Sequence, residues 1–298
     1  MIIFWVFLLI ILSLVFLNKK DFRIWYLDLR KVLPLWKNPS KKVEEHYEKN
    51  HEAYLKTYGN IIQAHRTETE EELLNYIAQG AQLKDGQQIL DAGCGFGGPS
   101  SFFAERFNSK IEAITLSKSQ VTEVELSIQK NKLKEKLNVK LGDFHELPEY
   151  YQESTFDRVL FLESLGHAES VKKVIQGVFK VLKPGGLLYI KDFVKRDLPR
   201  SSYDKEQIRG LKDMAEKFRY NTLDIYHIIY VLRKEGFDLV NIKEPDFKTD
   251  NYEVNRAFVS ATGIVVGNPE SFGVKWKYEY PPFVDPVEFL FQKRNYKI

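Results

Sequence analysis

Sulfur is scarce in this chain. Its 298 residues include one cysteine, Cys94, and two methionines. A single cysteine excludes an internal disulfide and most cysteine-based zinc frameworks. The chain also has little excess of either charge: 44 Lys and Arg are balanced by 41 Asp and Glu, and the net charge is +3. So small an excess gives no reason to expect a nucleic-acid partner. Nor does any internal repeat or low-complexity segment indicate a solenoid or a disordered linker.

The first residues contrast with this balanced composition. Residues 1–17 are apolar except for Ser13. As a helix they would cover about 25 Å, near the lower limit for crossing a bilayer. No basic residue precedes the run and no small-residue cleavage site comes after it, which disfavours a cleaved signal peptide. We expect a transmembrane or membrane-anchor helix over residues 1–18; a helix docked on the core of the protein is the alternative.

Basic and aromatic residues come directly after the apolar run. Lysine and arginine are frequent over residues 19–31, and the positive-inside rule would keep the catalytic domain on the cytoplasmic side of the membrane. Trp25, Tyr26 and Trp36 suit the lipid headgroup region. We therefore predict an interfacial linker over residues 19–42.

Strand and helix patterns alternate over the rest of the chain, 43–298. Strands are predicted at about 88–91, 111–116, 137–141, 156–162, 187–193, 237–242 and 287–293. Helices are predicted at about 43–64, from Thr67 or Thr69 to Gly80, and at 99–107, 119–131, 170–182, 204–218 and 222–235, the last capped by Asn221 or Thr222. This alternation is typical of a doubly wound α/β fold with a parallel sheet. We assign its core to residues 80–243, and residues 246–286, which lack clear periodicity, to a lid or substrate cover.

A glycine-rich turn joins the first predicted strand to its helix: Asp91-Ala-Gly-Cys-Gly-Phe-Gly-Gly-Pro99. Glycine lets a backbone bend sharply and approach a ligand, and proline suits the first helical position. Such a turn builds a nucleotide site at the carboxyl end of a strand. A dinucleotide site would also need an acidic residue about 20 residues further on, but the second strand is followed by Ser117 and no carboxylate. The turn resembles motif I of the class I S-adenosylmethionine-dependent methyltransferases, which have a Rossmann-like fold.

That resemblance implies a set of cofactor-binding residues at the strand ends. The set is Asp91, Gly93, Gly95, Gly97, Leu116, Ser117, Gln120, Asp143 and Phe144. Asp91 would orient the turn, and the glycine backbones would approach the methionine part of S-adenosylmethionine. Ser117 and Gln120 would bond the ribose in place of an acid. Asp143 would accept from the adenine amino group beside the ring of Phe144; for Asp143, a simple turn aspartate is the alternative.

Two titratable residues come after the fourth predicted strand, in Leu-Glu163-Ser-Leu-Gly-His167-Ala. The strand ends of one sheet edge converge, so both would lie near the transferred methyl group. A buried carboxylate is costly unless it is paired, which makes Glu163 a catalytic candidate; a structural hydrogen-bonding role is the alternative. His167 is either a general base or a partner of the neighbouring loop.

Several segments carry a closer resemblance. Residues 54–65, 95–100, 106–120 and 163–168 are similar to sterol, tocopherol and geranyl diphosphate C-methyltransferases and to cyclopropane fatty acid synthases. The resemblance implies methyl transfer to a lipophilic, isoprenoid or sterol-like acceptor through a carbocation. Aromatic faces and the Glu163 carboxylate would stabilise that cation. The candidate rings are Tyr54, Tyr58, Tyr220, Tyr226 and Tyr230.

Other functions stay open at this point. Within the same enzyme class they are methylation of a quinone or phenol and a reaction like that of cyclopropane fatty acid synthases. Cys94 does not correspond to the cysteine with which the synthases hold bicarbonate. More distant alternatives are an NAD-dependent oxidoreductase and a membrane protein that binds the cofactor without catalysis.

The predicted anchor leads to a test by truncation. Removal of residues 1–20 should leave cofactor binding intact and lower activity on an acceptor embedded in liposomes, because the truncated protein no longer concentrates at the membrane. Calorimetric titration and liposome assays measure the two effects. Equal activity of both proteins on liposomes would contradict the role given to the anchor.

Overall fold

Short apolar runs form the strands of a single sheet. The structure is a computed structural model that describes residues 38–67, 69–196, 205–245 and 284–295, with the backbone alone over 205–208. In chain order the strands are β1 Gln88–Ala92, β2 Lys110–Thr115, β3 Leu137–Leu141, β4 Phe156–Leu162, β5 Leu182–Lys195, β6 Phe237–Lys243 and β7 Val284–Lys293. The predicted strands are therefore confirmed, and β5 and β7 begin earlier than expected.

The direction of β7 differs from the prediction. In the described part of the chain the sheet has the order β3-β2-β1-β4-β5-β7-β6. The first five strands pair in parallel, whereas β7 lies antiparallel between β5 and β6. An all-parallel sheet is thus wrong at β7, because a hydrophobic pattern indicates a strand and not its direction. The strand order reverses between β1 and β4, and such a reversal opens a crevice at the carboxyl ends of the strands.

Helices cover both faces of this sheet. They are α1 Ser40–Lys49, α2 His51–Tyr58, α3 Glu70–Gly80, α4 Gly98–Arg106, α5 Lys118–Lys130, α6 Leu147–Tyr150, α7 Val171–Val181, α8 Lys205–Lys217 and α9 Ile225–Glu235. Strand β4 shows how the two faces divide. Leu160 and Leu162 belong to the core formed with α3 and α4, and Val159 and Phe161 to the core formed with α7 and α9. The central strands are apolar on both faces because both faces are buried.

The first predicted helix, 43–64, is wrong in its length. The chain forms two helices there, α1 and α2, and Asn50 separates them by donating from its side chain to the carbonyl of His46 at 2.8 Å. Gly59, with φ +60°, ends α2. Of the two predicted capping residues it is Thr69 that caps α3, accepting from the backbone N–H of Glu72 at 3.2 Å.

Three predicted segments lie wholly or largely outside the described residues: the anchor over 1–18, the linker over 19–42 up to residue 37, and the cover over 246–286 up to residue 283.

The described ends of two of these segments correct their boundaries. Asn38 is buried and donates to the carbonyl of Ala215, and residues 40–42 form the first turn of α1, so the linker ends before Asn38. Residues 284–286 belong to β7 and not to a cover. Within the described ranges, no helix combines the length and the apolar character that a bilayer crossing requires.

The start of α9 corrects a second capping prediction. Leu223 forms a bridge with Val194 of β5, so the helix cannot begin before it. Asp224 is the N-cap, with φ −105°, and its side chain accepts from the backbone N–H of His227 at 2.9 Å. Asn221 instead donates from its side chain to the carbonyl of Ala168 at 3.2 Å.

Asp224→Ala should lower the free energy of unfolding by about 1 kcal/mol, because α9 loses an acceptor for its first turn. Urea denaturation measures the loss. Thr222→Ala, at a position predicted as a cap, is the matched control and should change stability by less than about 0.5 kcal/mol. Equal losses in the two variants would contradict the assignment of Asp224.

Candidate active site

The glycine turn occupies the crevice at the carboxyl end of β1. Gly93, Gly95 and Gly97 have φ values of +85°, +55° and +74°, which glycine alone adopts readily. A Cβ atom on Gly93 would lie 2.6 Å from the Cβ of Ser164, so the turn also needs glycine for its contact with the segment after β4. On Gly97 a Cβ would lie 2.7 Å from Val124 of α5.

A cleft opens above this turn and contains about 740 Å³ of empty space, its open mouth included. The predicted residues that line it are Asp91, Gly93, Gly95, Leu116, Ser117, Gln120, Phe144, Glu163 and His167. Gly97 and Asp143 are not among its lining residues. Gly97 faces α5, which gives it a packing role.

Asp91 spans the turn from the end of β1. Its Oδ2 accepts from the Ser100 hydroxyl, in the first turn of α4, at 2.6 Å. Burial raises the pKa of Asp91 to about 6, against the opposing effect of the bond from Ser100. The carboxyl group therefore ties the strand to the helix after the turn; the orienting role toward the cofactor stays a prediction.

A carboxylate does stand at the tip of β2, and it comes from α1. Glu48 Oε1 accepts from the Ser117 hydroxyl at 2.7 Å, and its Oε2 accepts from the Ser119 hydroxyl at 2.6 Å. These bonds lower the pKa of Glu48 although burial acts in the opposite direction. Gln120 Oε1 accepts from the Thr115 hydroxyl at 2.6 Å, which fixes the amide with its nitrogen as the end available to a ligand.

Asp143 has local partners that favour the turn-aspartate alternative. Its Oδ1 accepts from the backbone N–H of His145 at 2.9 Å and lies 2.6 Å from the Nδ1 of that ring. The Nε2 of His145 accepts from the backbone N–H of Glu169 at 3.1 Å, so the ring proton is on Nδ1 and is donated to Asp143. The adenine contact predicted for Asp143 stays a prediction.

Glu163 reaches the cleft from a strained backbone. Its φ is +57°, which is uncommon for any residue other than glycine. Oε2 accepts from the backbone N–H of Ala64 at 2.7 Å, and Oε1 accepts from that of His65 at 3.1 Å. Oε1 also accepts from the Nζ of Lys191 at 2.6 Å. The carboxylate thus has structural partners and faces the cleft at the same time.

His167 is bonded through both ring nitrogens. Its Nδ1 lies 3.0 Å from the carbonyl oxygen of Arg219, and its Nε2 lies 2.9 Å from the hydroxyl of Tyr47. A carbonyl can only accept, so Nδ1 carries the proton and Nε2 accepts from Tyr47. Burial lowers the pKa of His167 to about 4, partly offset by the bond to Arg219. The ring is therefore neutral at neutral pH.

The aromatic candidates divide into two groups. Tyr54 and Tyr58 are buried, and Tyr54 lies 5.1 Å from Tyr47 between ring centroids. Tyr220 is buried edge-on against His167, at 5.1 Å between centroids. Tyr226 and Tyr230 lie on the outer face of α9 with 66% and 60% of their surface exposed, so their assignment as cleft rings is wrong.

Sequence reasoning missed Tyr47, Glu48, Gln63 and Lys191. The first three precede the glycine turn in the chain and lie within residues 43–64, which were interpreted as one long helix. Lys191 carried a signal that went unused: it is a cation within the apolar strand 187–193, and a lysine buried there must have a partner.

The cleft suits S-adenosylmethionine. Three acidic residues line it, Glu44, Asp91 and Glu163, and the ligand carries positive charge on an amine and a sulfonium. The ring of Phe144 and the polar ends of Ser117 and Gln120 line the same space, and they suit an adenine ring and ribose hydroxyls.

Curated relatives share this part of the chain. 24-Methylenesterol C-methyltransferase 3 of Arabidopsis thaliana is 32% identical over 167 residues, which cover 55% of this chain and 45% of that protein. Erythromycin 3''-O-methyltransferase of Saccharopolyspora erythraea is 35% identical over 138 residues, which cover 46% of this chain and 44% of that protein. Each alignment spans less than half of the relative's length.

Solved structures show the same fold. The cyclase SpnF superposes with a TM-score of 0.69 at 18% identity, covering 86% of this chain and 96% of that chain. Geranyl diphosphate C-methyltransferase from Streptomyces coelicolor A3(2) superposes with a TM-score of 0.56 at 14% identity, covering 75% and 78%. Finally, the sequence profile of the methyltransferase domain matches residues 83–261. That range is more than half of the 298 residues of this chain. The chain therefore belongs to the methyltransferase domain family, whose methyl donor is S-adenosylmethionine.

Proposed function

We propose that this chain transfers a methyl group from S-adenosylmethionine to an electron-rich carbon of a lipophilic acceptor, an isoprenoid or sterol-like lipid. One observation carries the proposal: the Glu163 carboxylate and the ring of Tyr47 line the same cleft, and Tyr47 belongs to a buried aromatic cluster with Tyr54 and Tyr58. Burial first, then neighbouring Tyr58 and the charge of Glu163, raise the pKa of Tyr47. Tyr54 links Tyr47 to Tyr58, at 5.1 Å and 5.9 Å between ring centroids.

This combination suits a cationic intermediate on the acceptor. When bound, S-adenosylmethionine supplies an electrophilic methyl group on a positively charged sulfur. Attack by an alkene carbon would form the new C–CH₃ bond while the S–CH₃ bond breaks and its electron pair stays on sulfur, which becomes a neutral thioether; the positive charge passes to the acceptor as a carbocation. The chain contributes the Glu163 carboxylate and the ring of Tyr47, both of which line the cleft and suit positive charge. The buried rings of Tyr54 and Tyr58 next to Tyr47 would also keep water from the cation.

Tyr47 and His167 supply a route for the proton that the cation must lose. The Tyr47 hydroxyl donates to His167 Nε2, so its own oxygen lone pairs are available to accept. As the acceptor's C–H bond breaks, its electron pair forms a C=C bond and the proton passes to the Tyr47 oxygen. The proton of Tyr47 then moves to His167 Nε2, and the carbonyl of Arg219 stabilises the ring through Nδ1.

The same pair supports a second candidate, O-methylation. A phenol or quinol hydroxyl could lose its proton to Tyr47 and His167 as it attacks the methyl group. The relative named as an erythromycin 3''-O-methyltransferase also supports this candidate. A labelled methyl group found in an ether would favour it, and one found on carbon would favour the first.

The amino-terminal sequence supports a membrane-resident acceptor. We include in the proposal that residues 1–18 anchor the protein, that residues 19–37 lie at the headgroups, and that the domain, with the buried Asn38 at its start, faces the cytoplasm. A lipid that resides in the bilayer would then reach the cleft without crossing water. Of the predicted cover, residues 246–283 are proposed in that role, because residues 284–286 belong to β7.

The cofactor is tested first. The full chain in detergent should bind S-adenosylhomocysteine in a calorimetric titration, and Asp91→Ala should weaken binding at least tenfold, about 1.4 kcal/mol, because the turn loses its tie to α4. Asp85→Ala, on the loop before β1, is the control. Sterols, quinones and polyprenyl lipids are then screened with labelled methyl donor. Binding of NAD in preference to S-adenosylhomocysteine would contradict the proposal.

The neutral His167 gives a pH test. Its pKa is about 4 in the folded protein and about 6.5 in an unfolded chain. The unfolded state therefore binds more protons between these two pH values. The stability that the folded protein gains from a neutral His167 is thus full above about pH 6.5 and is lost as the pH falls toward 4. As the pH falls from about 7 to about 5, the free energy of unfolding should decrease by about 2 kcal/mol less in His167→Gln than in the wild-type protein.

Urea denaturation at both pH values measures that difference. His227→Gln, which changes an exposed histidine of α9, is the control and should keep the wild-type dependence. An unchanged dependence in His167→Gln would show that His167 is not held neutral by the fold.

A further inference from the structure

We propose that Lys191 is a positioning residue of this methyltransferase. It holds the Glu163 carboxylate ionised and fixed in place beside the methyl donor, and it binds the loop between α2 and α3 to the sheet. This inference rests on the proposed function in one respect: it takes Glu163 to face the sulfonium of S-adenosylmethionine.

The ammonium group of Lys191 is fully bonded and buried. Its side chain is 1% exposed, and its Nζ donates to Glu163 Oε1 at 2.6 Å, to Gln63 Oε1 at 2.8 Å and to the carbonyl of His65 at 2.7 Å. Three acceptors match the three donors of an ammonium group. The carbonyl of Lys191 also accepts from the backbone N–H of Glu163 at 2.6 Å. Lys191 therefore contacts Glu163 through its side chain and through its backbone.

The partners of Glu163 are all donors. They are the backbone N–H groups of Ala64 and His65 and the Nζ of Lys191. A protonated carboxyl group would need an acceptor for its proton, so this geometry fits the ionised form. The Glu163 side chain is 7% exposed, and a charge so deeply buried needs a paired cation. Lys191 supplies it.

The loop held by Lys191 is part of the cleft. Ile62 and Gln63 line it together with Glu163. The loop joins the amino-terminal helices to the rest of the domain, and the bonds from Lys191 to Gln63 and His65 cross 128 and 126 residues of sequence. Lys191 thus holds in place both the Glu163 carboxylate and the loop that lines the cleft together with it.

Other titratable groups surround the pair and belong in the test. Strand β7 places Glu288 in register with Lys191, and Lys243 of β6 lies 3.7 Å from Glu288. Charges therefore alternate in sign from Glu163 through three further strands. The remaining facing groups are His65, whose pKa burial and then Lys191 lower to about 2, Asp192, whose pKa burial raises to about 8, and the hydroxyls of Tyr47 and Tyr58.

The test compares two ligands that differ by one charge. S-adenosylmethionine has a positive sulfonium where S-adenosylhomocysteine has a neutral thioether. The ratio of their dissociation constants in calorimetric titration therefore isolates the charge beside the sulfur. Glu163→Gln should reduce the preference for S-adenosylmethionine on the order of tenfold.

Lys191→Met keeps the length of the side chain and removes its charge. Glu163 then lacks its paired cation and no longer presents a fixed charge to the sulfonium. The preference for S-adenosylmethionine should therefore fall severalfold, and it should vary with pH. The double variant Lys191→Met/Glu163→Gln should not vary with pH, and because both variants retain Asp192, the comparison removes the contribution of that residue.

Lys183→Met is the matched control. Lys183 lies on the same strand and pairs with Asp157 at 2.8 Å, at the opposite end from the cleft, so this variant should keep the wild-type ratio at every pH. If Lys191→Met weakens both ligands equally and without pH dependence, Lys191 serves only the structure and the proposal is overturned. If the wild-type protein binds neither ligand, the proposed function fails, and with it the role toward the sulfonium.

Hydrogen exchange tests, without any ligand, whether Lys191 holds the loop between α2 and α3 to the sheet. Lys191→Met should speed exchange of the Ala64 and His65 amides at least tenfold, because Glu163 loses its anchor and the loop loses two bonds. Lys183→Met should leave those amides unchanged. If the amides of Ala64 and His65 exchange in Lys191→Met at the wild-type rate, Lys191 does not hold this loop, whatever the titrations show.

Discussion

The cleft depends on polar bonds that join residues 38–66 to the carboxyl edge of the sheet. Tyr47 bonds to His167, Glu48 to Ser117, and the amides of Ala64 and His65 to Glu163. Each bond pairs a group of the amino-terminal segment with a group located just after β2 or β4. An unpaired member of a buried polar pair costs more than the bond itself contributes. The segment and the sheet edge therefore have one arrangement that satisfies both, and that arrangement makes the cleft.

Buried carboxyl groups at this edge are treated in two ways. Among the described residues, Asp192 accepts only from the backbone amides of Phe193 and Gly166, and burial raises its pKa to about 8. Asp91 accepts from one hydroxyl and has a pKa of about 6. Glu163 alone of the three is in an ion pair, with Lys191. Of the two lysines that are buried in the described part of the chain, Lys293 bonds to backbone carbonyls, and Lys191 pairs with Glu163 in the cleft.

The sequence was informative where function requires a local pattern. The glycine turn, the strand ends and the pair Glu163 and His167 could be found because each lies within a few residues of a recognisable strand. Tyr47 and Lys191 could not be given their roles in this way, because their partners lie 120 and 28 residues away. Tyr226 and Tyr230 show the converse error: residue type suggested a cleft ring, and the helical position places both rings in solvent. The direction of β7 could not be predicted from the sequence either, because side chains alternate between the two faces of a sheet in the same way whichever direction the strand runs.

The position of β7 also sets the order in which the domain can be completed. Among the described strands, β6 pairs with β7 alone, and β7 is also the outer neighbour of β5. During synthesis, which runs from the amino terminus, the cleft-bearing strands β1 to β5 can pair while β6 still has no partner. The open edge of β5 is a template for any other strand until residues 284–293 arrive. The strand farthest from the glycine turn along the chain therefore decides when the nascent protein stops being a target for aggregation.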